Sequence, residues 1–279
     1  MEEFNNLLKK ALLKDYVPKK DVQQNEFLKK YPEFDGRGIK IAIIDSVVDL
    51  SLSGMQKTST GLPKIIDCFD FTDNGNVDTS VIRKSGDDNT LTLLSGREIS
   101  IPPNWKNPLN EWHLGKKFLQ EIFPSLLEKM EEKEKLNEND IQEFPRFVDK
   151  IVAEKLSDNY NFDFIVWNDG KKWQACLIPS FLKHVENAKV LTNFHDEHQF
   201  CYLLDDISCG IRIEEGGNFL KLLICCHDHG TLVAQVVAAH FPNEPEKDGL
   251  APGAQIISIN FMGENVNVST IKKANPKRA

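Results

Sequence analysis

The 279-residue chain has no apolar stretch approaching the roughly 18 residues that a bilayer-spanning helix requires. Its first residues, Met1-Glu2-Glu3-Phe4-Asn5, lack the basic segment and apolar run of a secretory leader. The expectation is a chain with neither secretion signal nor membrane anchor. It also lacks a basic surplus: 34 Lys and Arg against 42 Asp and Glu leave a formal net charge of -8, which argues against general nucleic-acid binding. Six cysteines (Cys68, Cys176, Cys201, Cys209, Cys225, Cys226) form no C-x-x-C pair and no small-scaffold framework. Reduced thiols in a cytosol are the corresponding expectation. What remains is ordinary globular material, 41% hydrophobic and 27% charged, long enough for one large domain or two modest ones.

Residues 1–30 read as a polar lead-in with a short amphipathic helix at Leu7–Leu13. After Gly36-Arg37-Gly38, the β-branched run Ile39–Ile44 predicts a strand covered on both faces, ending at Asp45. Further strands are expected at Lys64–Phe69, Leu91–Leu94 and Ile99–Ile101. Residues 115–156 carry Glu, Lys, Leu and Phe at helical spacing, and the mixed-sign run Glu128–Lys135 fits a solvated helix face. Phe164–Trp167 and Lys172–Ile178 flank Asn168-Asp169-Gly170-Lys171, which predicts a tight hairpin. The run Phe219–Cys226 predicts a buried strand, with Cys225 and Cys226 on its opposite faces as core residues. Leu232–Ala239 predicts a centrally buried helix, and Gln255–Ile259 another strand. Strand, helix and strand in this order predict a parallel β-α-β unit.

Sites in open α/β sheets form beyond the carboxyl ends of strands, where Asp45 and His229 are both expected. A carboxylate on one imidazole nitrogen sets the tautomer and leaves the other nitrogen to take a proton from a hydroxyl. Taken singly, each residue fits a turn, cap or structural role better. Other clusters carry less. His195-Asp196-Glu197-His198 and His227-Asp228-His229 have metal-like spacing, yet no third ligand is placed, and no metal or cofactor is expected. Asp35-Gly36-Arg37-Gly38 precedes its strand, so it is a turn and not a phosphate loop.

The segments Ile43-Ile44-Asp45-Ser46-Val47-Val48-Asp49 and His229-Gly230-Thr231-Leu232-Val233-Ala234 resemble the D-[ST]-G-x-D and H-G-T-H-V-A motifs of subtilisin-like serine peptidases. Within that superfamily the chain resembles the tripeptidyl-peptidase II type. The narrower likeness rests on Tyr31–Gly38, Gly54-Met55-Gln56, Gly61–Ile65, Leu94-Ser95-Gly96-Arg97, Val166–Gly170, His240–Glu246 and Gly249–Ile256. The 184 positions between Asp45 and His229 also match that type, whose members carry a long insertion there.

The resemblance implies an α/β fold: an incomplete, doubly wound, mainly parallel subtilisin-like sheet from residues 31–70 and 218–279, with an α+β insertion over 71–217. It implies Asp45 as the group orienting the imidazole, His229 as general base and acid, and a structural role for Asp49. An oligopeptide substrate cleaved into tripeptides from its free amino terminus, a cytoplasmic setting, and self-assembly or association with family subunits follow from the same likeness. Val47 stands where the family has glycine, so the turn aiming Asp45 is expected to differ. Leu232 replaces a histidine that is not the family's base. No G-T-S-M-[AS] motif for the nucleophilic serine, and no preceding oxyanion asparagine, occurs in the sequence. The chain as given is therefore expected to be inactive alone, or to act as a non-catalytic binding or assembly module. Strand edges and one flank of helix 230–241 are expected to lie uncovered.

Overall fold

A computed structural model describes residues 17–124, 160–180, 182, 184–203 and 207–262. The predicted helix at Leu7–Leu13, the charge run Glu128–Lys135 and most of the helical stretch 115–156 lie outside these residues. In chain order the elements begin with α1 (Gln24–Lys30), β1 (Lys40–Asp45), β2 (Ile65–Asp70), β3 (Asn76–Asp78), β4 (Val81–Arg83), β5 (Thr90–Thr92) and β6 (Glu98–Ser100). Then follow β7 (Trp112–Phe118), α2 (Leu119–Ile122), β8 (Asn161–Asn168), β9 (Trp173–Pro179), β10 (Val190–Thr192) and α3 (Phe194–Glu197). The last are β11 (Cys201–Leu203), β12 (Ile207–Glu214), β13 (Phe219–Ile224), α4 (His229–Ala238) and β14 (Gln255–Asn260). Residues 115–118 thus complete a strand and not the expected helix. None of the described helices is long and apolar enough to cross a membrane.

The described residues form two compact units, one from 17–69 and 225–261, the other from 70–124 and 160–224. In the first, a three-stranded sheet has the order β1-β14-β2, and β1 runs parallel to β14 from Lys40↔Gln255 to Asp45↔Asn260. Helix α4 packs against both of these strands. Coverage is one-sided: Ile43 is buried, whereas Lys40, Ala42 and Ile44 on the alternate positions are exposed, Ile44 by 67%. The strand predicted to be covered on both faces is an edge strand here. Helix α4 likewise buries Gly230, Thr231, Ala234, Gln235 and Ala238 but leaves Leu232 53% exposed, so it is not buried all round.

Two buried charges organise the loops of this unit. The Lys64 side chain is fully buried, and its Nζ donates to the carbonyls of Pro252 (2.7 Å) and Ala254 (2.9 Å). Asp35 accepts from the Arg37 guanidinium (2.9 Å) and the Ser59 hydroxyl (2.5 Å), while its carbonyl takes the Gly253 N–H (2.8 Å). Burial would raise the Asp35 carboxyl, but these donors outweigh it and hold the group down to about 2. The turn expected at Asp35–Gly38 is thus an anchor for the Gly249–Ala254 loop.

The second unit is antiparallel. A five-stranded sheet has the order β10-β9-β8-β7-β4, a four-stranded sheet the order β11-β12-β13-β3, and β5 pairs with β6. The β8–β9 hairpin turns where predicted: Gly170 has a positive φ of 94°, and Asp169 Oδ1 accepts the N–H groups of Lys171 and Lys172. The core gathers Leu91, Leu114, Ile165, Cys176 and Ile178 around three tryptophans, with Trp105 stacked on Trp167 at 4.8 Å.

The expected β-α-β unit is corrected in its first strand. Residues Phe219–Ile224 pair antiparallel with β12 and β3, not alongside β14. The cause is the Glu215-Gly216-Gly217 turn, whose three residues all take positive φ and fold β13 straight back on β12. Cys225 and Cys226 follow the strand instead of ending it, and both are half-buried.

Burial pushes the Lys64 amine down to about 8. Between about pH 8 and 10.5 the folded lysine is neutral while the unfolded one still holds its proton, so the unfolded state binds more protons and stability rises with pH. Chemical denaturation at pH 7.5 and pH 10 should show the parent gaining up to about 3 kcal/mol relative to Lys64→Met. A difference that is flat across this window would show that Lys64 is charged in the fold throughout.

Candidate active site

Strand β1 delivers Asp45 at its carboxyl end, and α4 opens with His229. The two side chains meet: His229 Nδ1 lies 2.7 Å from Asp45 Oδ2, across 184 positions of sequence. The other carboxylate oxygen, Oδ1, accepts the Ser46 N–H at 2.8 Å, so both oxygens of Asp45 are engaged. Asp45 is 14% exposed at its side chain and His229 70%. A sheltered carboxylate thus holds a solvent-facing imidazole by one nitrogen and leaves Nε2 to exchange protons.

The backbone geometry behind this meeting comes from Ser46. Its hydroxyl donates to the His227 carbonyl (2.7 Å) and accepts the Gly230 N–H (2.9 Å), clamping the first turn of α4 onto the end of β1. Gly230 must be glycine, because a Cβ there would overlap the Ser46 carbonyl oxygen. Four more bonds hold the loop after β1. Thr231 Oγ1 accepts the Asp49 N–H (2.9 Å), buried Ser258 Oγ accepts the Val48 N–H (3.0 Å), and Asp49 Oδ1 accepts from the backbone and hydroxyl of Ser51 (2.8 Å each).

Val47, in the place of the family's glycine, is buried and has no positive φ, so the turn needs no glycine here and still aims Asp45 at His229. Leu232 is turned to the surface. Ser46, Thr231 and Ser258 are the supporting residues that sequence reasoning missed. A lone serine within the apolar strand Gln255–Ile259 was the available signal for Ser258. The other histidine clusters do not converge: among the described residues no group of three or more His, Cys, Asp or Glu side chains could hold a metal ion. His198 stacks on Phe194, and Glu197 pairs with Lys172.

Comparison with known proteins gives a concordant picture. The model of the subtilase family, Peptidase_S8, matches residues 224–277. Tripeptidyl-peptidase 2 of Oryza sativa subsp. japonica is 34% identical over 298 aligned residues, covering 91% of this chain and 22% of that protein. Tripeptidyl-peptidase 2 of Caenorhabditis elegans is 33% identical over 281 residues, covering 87% and 20%. A crystal structure of tripeptidyl peptidase 2 (TPP II) superposes with a TM-score of 0.63 over 84% of this chain and 21% of that one, at 20% identity, a likeness of fold. The chain thus spans about a fifth of the length of the relatives it matches.

Ser46→Ala removes the acceptor of a buried N–H and should cost about 1–3 kcal/mol by thermal or chemical denaturation. Gly230→Ala forces backbone against backbone and should cost at least as much. Both should also release the His229 ring, read as a loss of nuclear Overhauser contacts between that ring and the end of β1. Contacts unchanged in both variants would show that the clamp does not position His229.

Proposed function

Because this chain is a relative of the tripeptidyl-peptidase II-type subtilases, we propose that Asp45 and His229 are the aspartate and histidine of a serine-peptidase triad. The reading is carried by one observation, the 2.7 Å approach of His229 Nδ1 to Asp45 Oδ2 at the positions of the two motifs. Asp45 fixes the tautomer with the proton on Nδ1 and stabilises the imidazolium that forms when Nε2 takes a proton from a serine hydroxyl. The same Nε2 then returns that proton to the departing amine. The substrate class is an oligopeptide with a free amino terminus, cleaved to release tripeptides. A cytoplasmic setting and association with family subunits belong to the same reading.

The nucleophile is not assigned within residues 1–279. No G-T-S-M-type motif is present, and the Ser46 hydroxyl is committed to His227 and Gly230. An imidazole and a carboxylate alone do not hydrolyse peptides: in subtilisin, losing the serine costs about 10⁶ in kcat, nearly as much as losing the whole triad. The serine and its oxyanion donors therefore come from polypeptide that carries the missing motif. The same absence favours a second reading, in which this chain is a non-catalytic binding or assembly module of the family.

An unblocked tripeptide reporter tests the two. The chain alone should be inactive, and addition of a polypeptide bearing the G-T-S-M-type segment should give turnover on the unblocked but not the blocked reporter. In that mixture Asp45→Asn should lower kcat about 10⁴-fold by favouring the wrong tautomer, and His229→Ala about 10⁶-fold. Persistent inactivity of a mixture shown to associate would leave the non-catalytic reading standing, and turnover unaffected by His229→Ala would overturn the triad assignment.

A further inference from the structure

We propose that Cys201 and Cys209 are a reversible dithiol–disulfide pair, a redox modification site at the edge of the four-stranded sheet. The pair is set by register: Cys201 of β11 is the direct cross-strand partner of Cys209 of β12. Opposed residues of antiparallel strands have Cα atoms about 4.5–5.5 Å apart, inside the roughly 4.4–6.8 Å span of a disulfide. The two sulfurs lie within reach of each other, and the Cys209 thiol also donates to the Gly210 carbonyl at 3.3 Å.

The surroundings give the two sulfurs different roles. Cys201 sits on the edge strand with part of the residue still exposed, and Cys209 is fully buried beside it on the neighbouring strand. The hydrogen bond from Cys209 and the charge of Lys189 favour the Cys201 thiolate and hold this thiol below its ordinary range, against the opposing effect of burial. Lys189 is fixed nearby by a 2.6 Å hydrogen bond from its Nζ to the carbonyl of Phe200, the residue before Cys201. A third cysteine close by, Cys176, is pushed the other way by burial and by the Cys201 charge, which keeps it a protonated thiol. Cys225, in the other unit, is likewise pushed up to about 12, chiefly by burial.

The oxidant is a hydroperoxide. The Cys201 thiolate attacks the O–O bond, a sulfur–oxygen bond forms, and the alkoxide that leaves takes up a proton to become an alcohol or, from hydrogen peroxide, water. Cys209 then gives up its proton and attacks the sulfenic sulfur. The S–S bond forms as the S–O bond breaks, and the departing hydroxide carries that proton away as water. Two thiols and one hydroperoxide become one disulfide, one alcohol and one water. A small-molecule dithiol reverses the change by exchange. The bridge would fasten β11, a three-residue edge strand, to its neighbour.

The test treats the folded full chain with hydrogen peroxide at pH 7.5 and maps disulfides by peptide mass. The expected result is a Cys201–Cys209 bridge with loss of two hydrogens, restored by dithiothreitol and absent from Cys201→Ser and Cys209→Ser. Before oxidation, Cys201 should alkylate at least about tenfold faster than Cys176. The mapping on the unmutated chain decides the matter even where a serine variant folds poorly. Oxidation of Cys201 to a sulfinic acid with Cys209 still a thiol, a bridge to any other cysteine, or no loss of thiol would each overturn the proposal.

Discussion

Everything the candidate site can do depends on one hydroxyl. Ser46 Oγ sits between the carbonyl of His227 and the N–H of Gly230, and so joins the end of a strand to the start of a helix that lies about 180 residues further along the chain. The contact requires that residue 230 have no side chain, and it uses the hydroxyl as donor and acceptor at once. An alanine at position 46 can do neither, and a larger residue at 230 cannot approach. The Asp45–His229 hydrogen bond is a consequence of this backbone clamp. Two side chains on separate segments meet at 2.7 Å because the segments themselves are held in register.

The same unit uses buried charge to anchor its loops. Lys64 ties together two carbonyls of the Pro252–Ala254 turn, and Asp35 gathers Arg37, Ser59 and Gly253. Both groups are satisfied by several partners, which offsets the cost of taking them out of water. The motifs Tyr31–Gly38 and Gly249–Ile256, which read along the sequence as unrelated signatures, are the two sides of this anchoring. His229, in contrast, keeps most of its ring in solvent. The second unit uses the same device: buried Asp163 accepts the Ser95 N–H (3.0 Å) and hydroxyl (2.6 Å) from 68 positions away. Its strands are antiparallel and its core is built on stacked tryptophans.

Local patterns with a short physical range were legible. The Asn168–Lys171 turn followed from residues that supply their own acceptors and one positive φ, and the strand limits near Asp45 and Gln255 followed from β-branched runs. The Asp and His motifs were readable because each packs residues of several needs, a carboxylate, a hydroxyl and a glycine, into a few positions. Predictions that required knowing a neighbour fared worse. The run Ile39–Ile44 is apolar enough for a two-sided strand, yet it lies at an edge with Ile44 open. The composition of Phe219–Cys226 says buried strand and nothing about which partner it pairs with. The turn at Glu215-Gly216-Gly217 decides that, and it sends the strand back on β12.

The sequence by itself determined the lineage, the two candidate catalytic groups and the absence of a recognisable nucleophile motif, since each is a matter of residue identity at fixed spacing. Tertiary structure alone decided that Ser46 clamps the end of β1 to α4, that Asp49 holds Ser51 in particular, and that Cys201 faces Cys209 across a strand pair. These are statements about which atoms lie within bonding distance after the chain has folded back on itself. Pattern along the chain encodes what a residue can donate, accept or bury, and only the fold selects its partner.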